Sequence, residues 1–261
     1  MRRWILNFLM VLVALPAWAT EGSRYEPRAN LTILADESLM LPLARLTRDY
    51  ATRTRTPLTV VIKNPLEAEK QIEQGLEAHV IISANYPLLG RLTEQGLTDV
   101  SSRRPIARTG LALVATNEVK KTLNIAERFS FAAILKATGD APIFANDPAT
   151  LDGARVEMLK KNADFAETLN ARLRMKPSAE DVITALRDEG GVALLLATAS
   201  LNEPDIKLLS LLPEDISTAV TYDAVVLGSE LMGEAKNFTS YLASREAQAI
   251  FAHFGYQPPK Q

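Results

Sequence analysis

Apolar positions along the chain follow two different periods. Leu31–Ala35, Leu58–Ile62 and Val80–Ser83 are short apolar, β-branched runs, the pattern of strands buried on both faces. Between them Leu39, Leu43, Leu46 and Tyr50 recur at helical spacing and predict a helix over 39–53. Pro42 is tolerated only in a first helical turn, so this helix is expected to start near Leu41. A helix over 67–74 stops at Gly75, and one over 88–95 stops at Gly96. Strand–helix–strand–helix–strand predicts a parallel sheet with helices on both faces. A second unit repeats the alternation. Residues 110–115, 143–145, 192–196, 206–210 and 219–227 read as strands, and 130–137, 153–162 and 165–175 as helices. Ser178-Ala-Glu-Asp181 is a capping-box pattern opening a helix through Leu186, with Gly190-Gly191 as its stop. The last helix begins near Ser244, aligns Ala247, Ile250, Phe251 and Phe254, and ends at Gly255.

The first 19 residues follow neither period. Arg2 and Arg3 precede an apolar stretch from Trp4 to Leu15, Pro16 breaks it, and Ala17-Trp18-Ala19 supplies small residues flanking a cleavage point. Residues 1–19 therefore read as a removable secretory signal peptide and 20–29 as a polar leader, which predicts a periplasmic protein. Cleavage leaves 27 of the 29 basic side chains against 31 acids, a net charge of −4, and takes away both tryptophans.

The 261 residues, 47% hydrophobic and 23% charged, suffice for one large domain or two modest lobes. A mildly acidic chain lacks the basic footprint of a nucleic-acid binder. The absence of cysteine excludes disulfides, thiolate metal sites and cysteine nucleophiles. No G-x-S-x-G, P-loop or G-x-G-x-x-G is present. The two histidines, His79 and His253, have no clustered partner and predict no metal site. These readings argue against an enzyme and for a two-lobed binder without a flexible linker, its ligand in the cleft.

Several segments, taken in order, resemble the periplasmic molybdate-binding proteins of ABC importers. They are Leu31-Thr-Ile-Leu-Ala-Asp-Glu-Ser-Leu39, Lys70-Gln-Ile-Glu-Gln-Gly75, Val80-Ile-Ile-Ser-Ala-Asn85, Ala107-Arg-Thr-Gly-Leu-Ala-Leu-Val114, Asn146-Asp-Pro148, Ala179-Glu-Asp-Val182, Thr221-Tyr-Asp-Ala-Val-Val-Leu227 and Ser244-Arg-Glu-Ala-Gln-Ala-Ile-Phe251 with Gly255-Tyr256. The resemblance implies an α/β, two-lobed type II periplasmic binding protein, each lobe a mostly parallel sheet flanked by helices, joined by two crossovers. Lobe I would be 30–108 plus 219–261 and lobe II 109–218. It further implies a monomer without a cofactor or metal, a molybdate or tungstate ligand, and an ABC permease in the inner membrane as partner.

In that family a tetrahedral dianion is held by hydroxyls and by main-chain N–H groups where loops enter helices, the ends at which the helix dipole is positive. The carry-over assigns ligand-binding positions to Ser38, Asn64, Asp152, Val182 and Leu196. Ser38 matches a first-loop serine and Val182 a main-chain donor. The second-loop serine falls on Asn64 or Pro65, and proline has no N–H. Asp152 stands in a third loop that is usually a small-residue turn, and Leu196 replaces a strand-end tyrosine. Asp36 and Glu37 add carboxylates to the first loop. A carboxylate about 6 Å from a dianion costs on the order of 5 kcal/mol at an effective dielectric near 20. Lys63 would offset this if it turned inward, or the acids could face solvent. Ser38 and Asn64 are equally readable as helix caps. Two alternatives stay open: the same fold with a neutral or cationic ligand, or a ligand-free sensor or scaffold with a protein partner.

Overall fold

The computed structural model describes residues 30–123, 131–201, 203–228 and 231–260. The predicted signal peptide (1–19) and leader (20–29) lie outside the described residues. Among the described residues the strands are β1 (Leu31–Ala35), β2 (Leu58–Ile62), β3 (Val80–Ser83), β4 (Thr98–Thr109), β5 (Leu111–Thr116), β6 (Ile143–Asn146), β7 (Leu173–Lys176), β8 (Val192–Leu196), β9 (Ile206–Leu211) and β10 (Val220–Leu227). The helices are α1 (Met40–Thr54), α2 (Pro65–Glu73), α3 (Tyr86–Glu94), α4 (Asn117–Leu123), α5 (Phe131–Ala137), α6 (Leu151–Leu159), α7 (Ala163–Arg172), α8 (Ala179–Glu189), α9 (Met232–Leu242) and α10 (Arg245–His253).

The strands form two five-stranded sheets, ordered β2-β1-β3-β10-β4 and β7-β6-β8-β5-β9. The chain crosses from the first to the second between β4 and β5 and returns before β10. Both sheets are mixed. In the first, β1 pairs with β2 and β3 in parallel, whereas β10 is antiparallel to β3 and β4. The second has the same division, with β6 parallel to β7 and β8, and β5 antiparallel to β8 and β9. The apolar runs do not distinguish the two directions, because a strand covered on both faces carries the same run either way.

Period-two alternation divides each strand between the two faces. Leu31, Ile33 and Ala35 of β1, with Tyr222, Ala224 and Val226 of β10, pack against Leu39, Leu43, Leu46 and Tyr50 and against Phe238 and Phe251 of α9 and α10. Leu34, Ile81 and Val225 face the other way, onto Leu88, Leu89 and Leu92 of α3. In the second sheet Leu111, Leu113, Ile143 and Leu194 face Phe131, Val156, Phe165 and Leu169, while Ala112, Phe144 and Leu195 face Val182 and Leu186 of α8. Leu196 belongs to the first sheet's core and Leu151 packs beside it, so the end of β8 and the start of α6 reach across to the first sheet.

The observed elements depart from the predicted ones in places. Residues 165–175, read as one helix, stop being helical at Arg172. The Arg172 guanidinium donates to Ala141 O at 2.7 Å and Thr138 Oγ1 at 2.6 Å, and Leu173–Lys176 then extends as the edge strand β7. β4 was not predicted. Its sequence, with Ser101, Ser102, Arg103, Arg104 and Pro105, is too polar for a buried strand; it is an edge strand whose register with β10 shifts next to Pro105. α1 begins at Met40, just ahead of the start that Pro42 suggests.

Candidate functional site

A cavity of about 450 Å³ opens between the two sheets. Its walls are the turns that follow β1, β2, β6, β7 and β8, all at the carboxyl ends of strands that feed helices or a 3-10 turn.

The turn after β1 is a 3-10 segment, Glu37–Leu39, leading into α1. Asp36 caps it. Its Oδ1 accepts the Ser38 N–H at 3.2 Å and the Ser38 hydroxyl at 2.9 Å. Ser38 Oγ is also 2.7 Å from the Tyr222 hydroxyl, and the Tyr256 hydroxyl donates to Ser38 O at 2.5 Å. Asp36 is only 7% exposed, and its Oδ2 has no hydrogen-bond partner. Burial pushes the Asp36 carboxyl up to about 6; the Ser38 hydrogen bonds oppose the rise, and the charges of Glu37 and Asp152 add to it. Burial likewise pushes the Tyr256 phenol up to about 12 and Tyr222 well above the usual range.

After β2, Asn64 caps α2 by accepting the Glu67 N–H at 2.9 Å, and Pro65 stands in the first turn. Lys63 lies 3.7 Å from Glu67. After β6, Thr150 caps α6, accepting the Gly153 N–H at 3.1 Å. Asp152 is 6% exposed and surrounded by donors: Asn146 Nδ2 at 3.0 and 2.9 Å, Thr150 Oγ1 at 3.0 Å and Gly153 N at 3.2 Å. Gly153 makes this turn. A Cβ there would sit 2.0 Å from Asp147 O and 2.4 Å from Asn146 O, so only glycine lets α6 start against the end of β6. After β7, Ser178 caps α8, accepting the Asp181 N–H at 3.2 Å as the sequence pattern predicts, while its own hydroxyl donates to Asp181 Oδ2 at 2.7 Å.

Of the five sequence-assigned positions, Ser38, Asn64, Asp152 and Leu196 line the cavity. Val182 does not. Its N–H donates to Ser178 O at 3.0 Å within the first turn of α8, and its side chain is fully buried against the second sheet. Asp36 and Asp152 face the cavity rather than bulk solvent. The same wall includes Asn146, Thr198, Arg187 and Glu203, which the sequence reading did not single out. Only Asn146 left a trace there, as the first residue of a resembling segment. Arg187 is anchored by Asp205 and Glu203, with contacts of 2.6–2.8 Å. Five acids, Asp36, Glu37, Asp152, Glu180 and Glu203, thus line the cavity against this one, already paired arginine. His79 has a structural task, its Nδ1 accepting the Thr32 N–H at 2.9 Å. Among the described residues no cluster of His, Asp or Glu is placed to hold a metal ion.

The family model described as "Bacterial extracellular solute-binding protein" matches residues 31–257. The chain is 22% identical over 262 residues to the molybdate-binding protein ModA of Escherichia coli K12, covering 98% of each. Among solved structures it is similar to the substrate-binding domain of a putative molybdenum ABC transporter from Clostridium difficile, with a TM-score of 0.75 and 22% identity, covering 88% of this chain and 99% of that one. It is also similar to the periplasmic molybdate-binding protein of Azotobacter vinelandii, with a TM-score of 0.70 and 17% identity, covering 88% and 100%. The architecture they share is that of the type II periplasmic binding proteins.

Proposed function

The chain belongs to the bacterial extracellular solute-binding protein family, and from that premise we propose that it captures a tetrahedral oxyanion of the molybdate or tungstate type between its two sheets. It is a binder, not an enzyme. One observation carries the reading: helix-entry turns from both sheets meet at a single cavity lined by hydroxyl and amide side chains at Ser38, Asn64, Thr150 and Ser178. Positive helix ends and neutral donors suit an anion without a formal countercharge.

In this reading residues 30–108 with 219–261 form one lobe and 109–218 the other, a division supported by sheet membership. The lobes close on the ligand about the crossovers near Arg108 and Thr218. Arg155 of α6 spans to the second crossover, donating to Thr218 O at 2.6 Å. The loaded protein delivers its ligand to the permease of an ABC importer in the inner membrane. It is periplasmic, exported by residues 1–19, and works as a monomer.

The excess of acids along the wall favours a second reading, in which the ligand is a neutral or cationic molecule that donates hydrogen bonds. Thermal melts of the chain lacking residues 1–19 separate the two. Molybdate or tungstate at a hundred times its Kd adds about 2.7 kcal/mol, a rise of roughly 5–10 °C in Tm, with no rise for sulfate. Melts unmoved by any oxyanion would leave the second reading standing.

A further inference from the structure

The oxyanion reading leaves one group without a role. Asp36 lies in the cavity wall with Oδ1 occupied by both donors of Ser38 and Oδ2 unpartnered in a buried position. No cation answers it among the described residues. Glu37 stands on the same turn and Asp152 acts on it from the second sheet, both negative. The Tyr222 and Tyr256 hydroxyls behind it are committed to Ser38. Lys63 borders a small void beside Asp36, with its ammonium 3.7 Å from Glu67. Of the remaining charged groups in the wall, Glu180 and Glu203 are acids and Arg187 is paired. Oδ2 has no exposed surface as it stands, so an oxyanion reaches it only once the carboxyl turns toward the cavity, and the meeting would then bring two acceptors together. A single proton between them turns that repulsion into a charge-assisted hydrogen bond.

Resting on the oxyanion reading, we propose that Asp36 Oδ2 and a ligand oxygen share one proton, so that the oxyanion is bound together with that proton. The proton belongs on Oδ2, because Oδ1 already accepts two hydrogen bonds. Asp152 is less suited to this task, since each of its oxygens already accepts from the Asn146 amide and Oδ1 is also met by Thr150 and Gly153. A fully deprotonated oxyanion takes the proton from the medium, whereas one that carries its own proton, such as hydrogen phosphate, brings it along. Burial assists by raising Asp36 to about 6, which keeps the neutral carboxyl within reach of neutral pH.

Titration calorimetry with micromolar molybdate, and in parallel with phosphate, tests this on the chain lacking residues 1–19. With one proton bound per ligand, the molybdate Kd weakens about 50-fold between pH 6 and pH 8. At pH 8, buffers of different ionisation enthalpy report close to one proton taken up per molybdate and none per hydrogen phosphate. Asp36→Asn supplies an amide donor in place of the proton, so its molybdate Kd is flat with pH, its proton uptake is zero, and it binds at pH 8 at least as tightly as the parent. A parent Kd that is flat with pH, without proton uptake, overturns the proposal and leaves the oxyanion reading intact. An Asp36→Asn chain that melts cooperatively yet keeps the parental slope overturns the assignment to Asp36. Failure of the parent and of Asp36→Asn to bind any oxyanion at either pH removes the oxyanion reading and this proposal with it.

Discussion

Two carboxylates stand at helix-entry turns on the same cavity, Asp36 from the first sheet and Asp152 from the second, and their surroundings are opposite. Asp152 has four donor contacts, two from the Asn146 amide and one each from the Thr150 hydroxyl and the Gly153 N–H, which are shared with Asp147 O and Thr150 Oγ1. Asp36 takes two, both on one oxygen. The two are equally buried, so desolvation alone does not separate them. What separates them is how many donors the local turn turns inward, and Asp36 keeps one buried oxygen without a partner among the described residues.

The comparison breaks most severely at Gly153. Gly153→Ala forces a Cβ into two main-chain carbonyls and dislodges the turn that supplies Asp152 with donors. The expected cost is above about 3 kcal/mol, a Tm drop of roughly 10 °C for a chain of this size; a melt within 2 °C or so of the parent would show that α6 can shift at little cost.

The paired substitutions Asp36→Asn and Asp152→Asn sharpen the contrast because they have opposite signs. A carboxyl raised from 3.8 to about 6 stabilises the fold below pH 4, and that contribution is lost as pH rises through about 6. Removing it makes the Asp36→Asn chain more stable than the parent by about 3 kcal/mol at pH 8, and equal to it near pH 4. Asp152→Asn instead sets an amide against the Asn146 amide and costs about 2 kcal/mol. Denaturant melts at pH 4 and pH 8 check both, and parallel behaviour of the two variants would erase the distinction. The smallest effect is expected at Tyr256→Phe, which removes the donor to Ser38 O and costs about 1 kcal/mol. Its melt should leave the pH dependence attributed to Asp36 unchanged.

How far the site was readable varied with the type of interaction. Caps are local, so Ser178 with Asp181 was legible in four residues, and the capping alternative for Asn64 is the hydrogen bond found. The roles of Tyr222 and Tyr256 were not legible, because they lie 184 and 218 residues from the Ser38 they hold. Val182 was assigned as a main-chain donor by the resemblance alone, and its N–H donates to Ser178 O within α8. β7 and β4 escaped notice because edge strands are half-exposed and need no continuous apolar run.

The alternation of strands and helices, the apolar faces that must be buried, the helix stops and the residue types in each turn were all written locally, since they depend on neighbours within one or two helical turns. Strand direction, the meeting of both sheets at one cavity and the surroundings of the two acids came from long-range packing. Those depend on which distant donors are brought within 3 Å or so of a carboxylate, and no spacing along the chain encodes that distance.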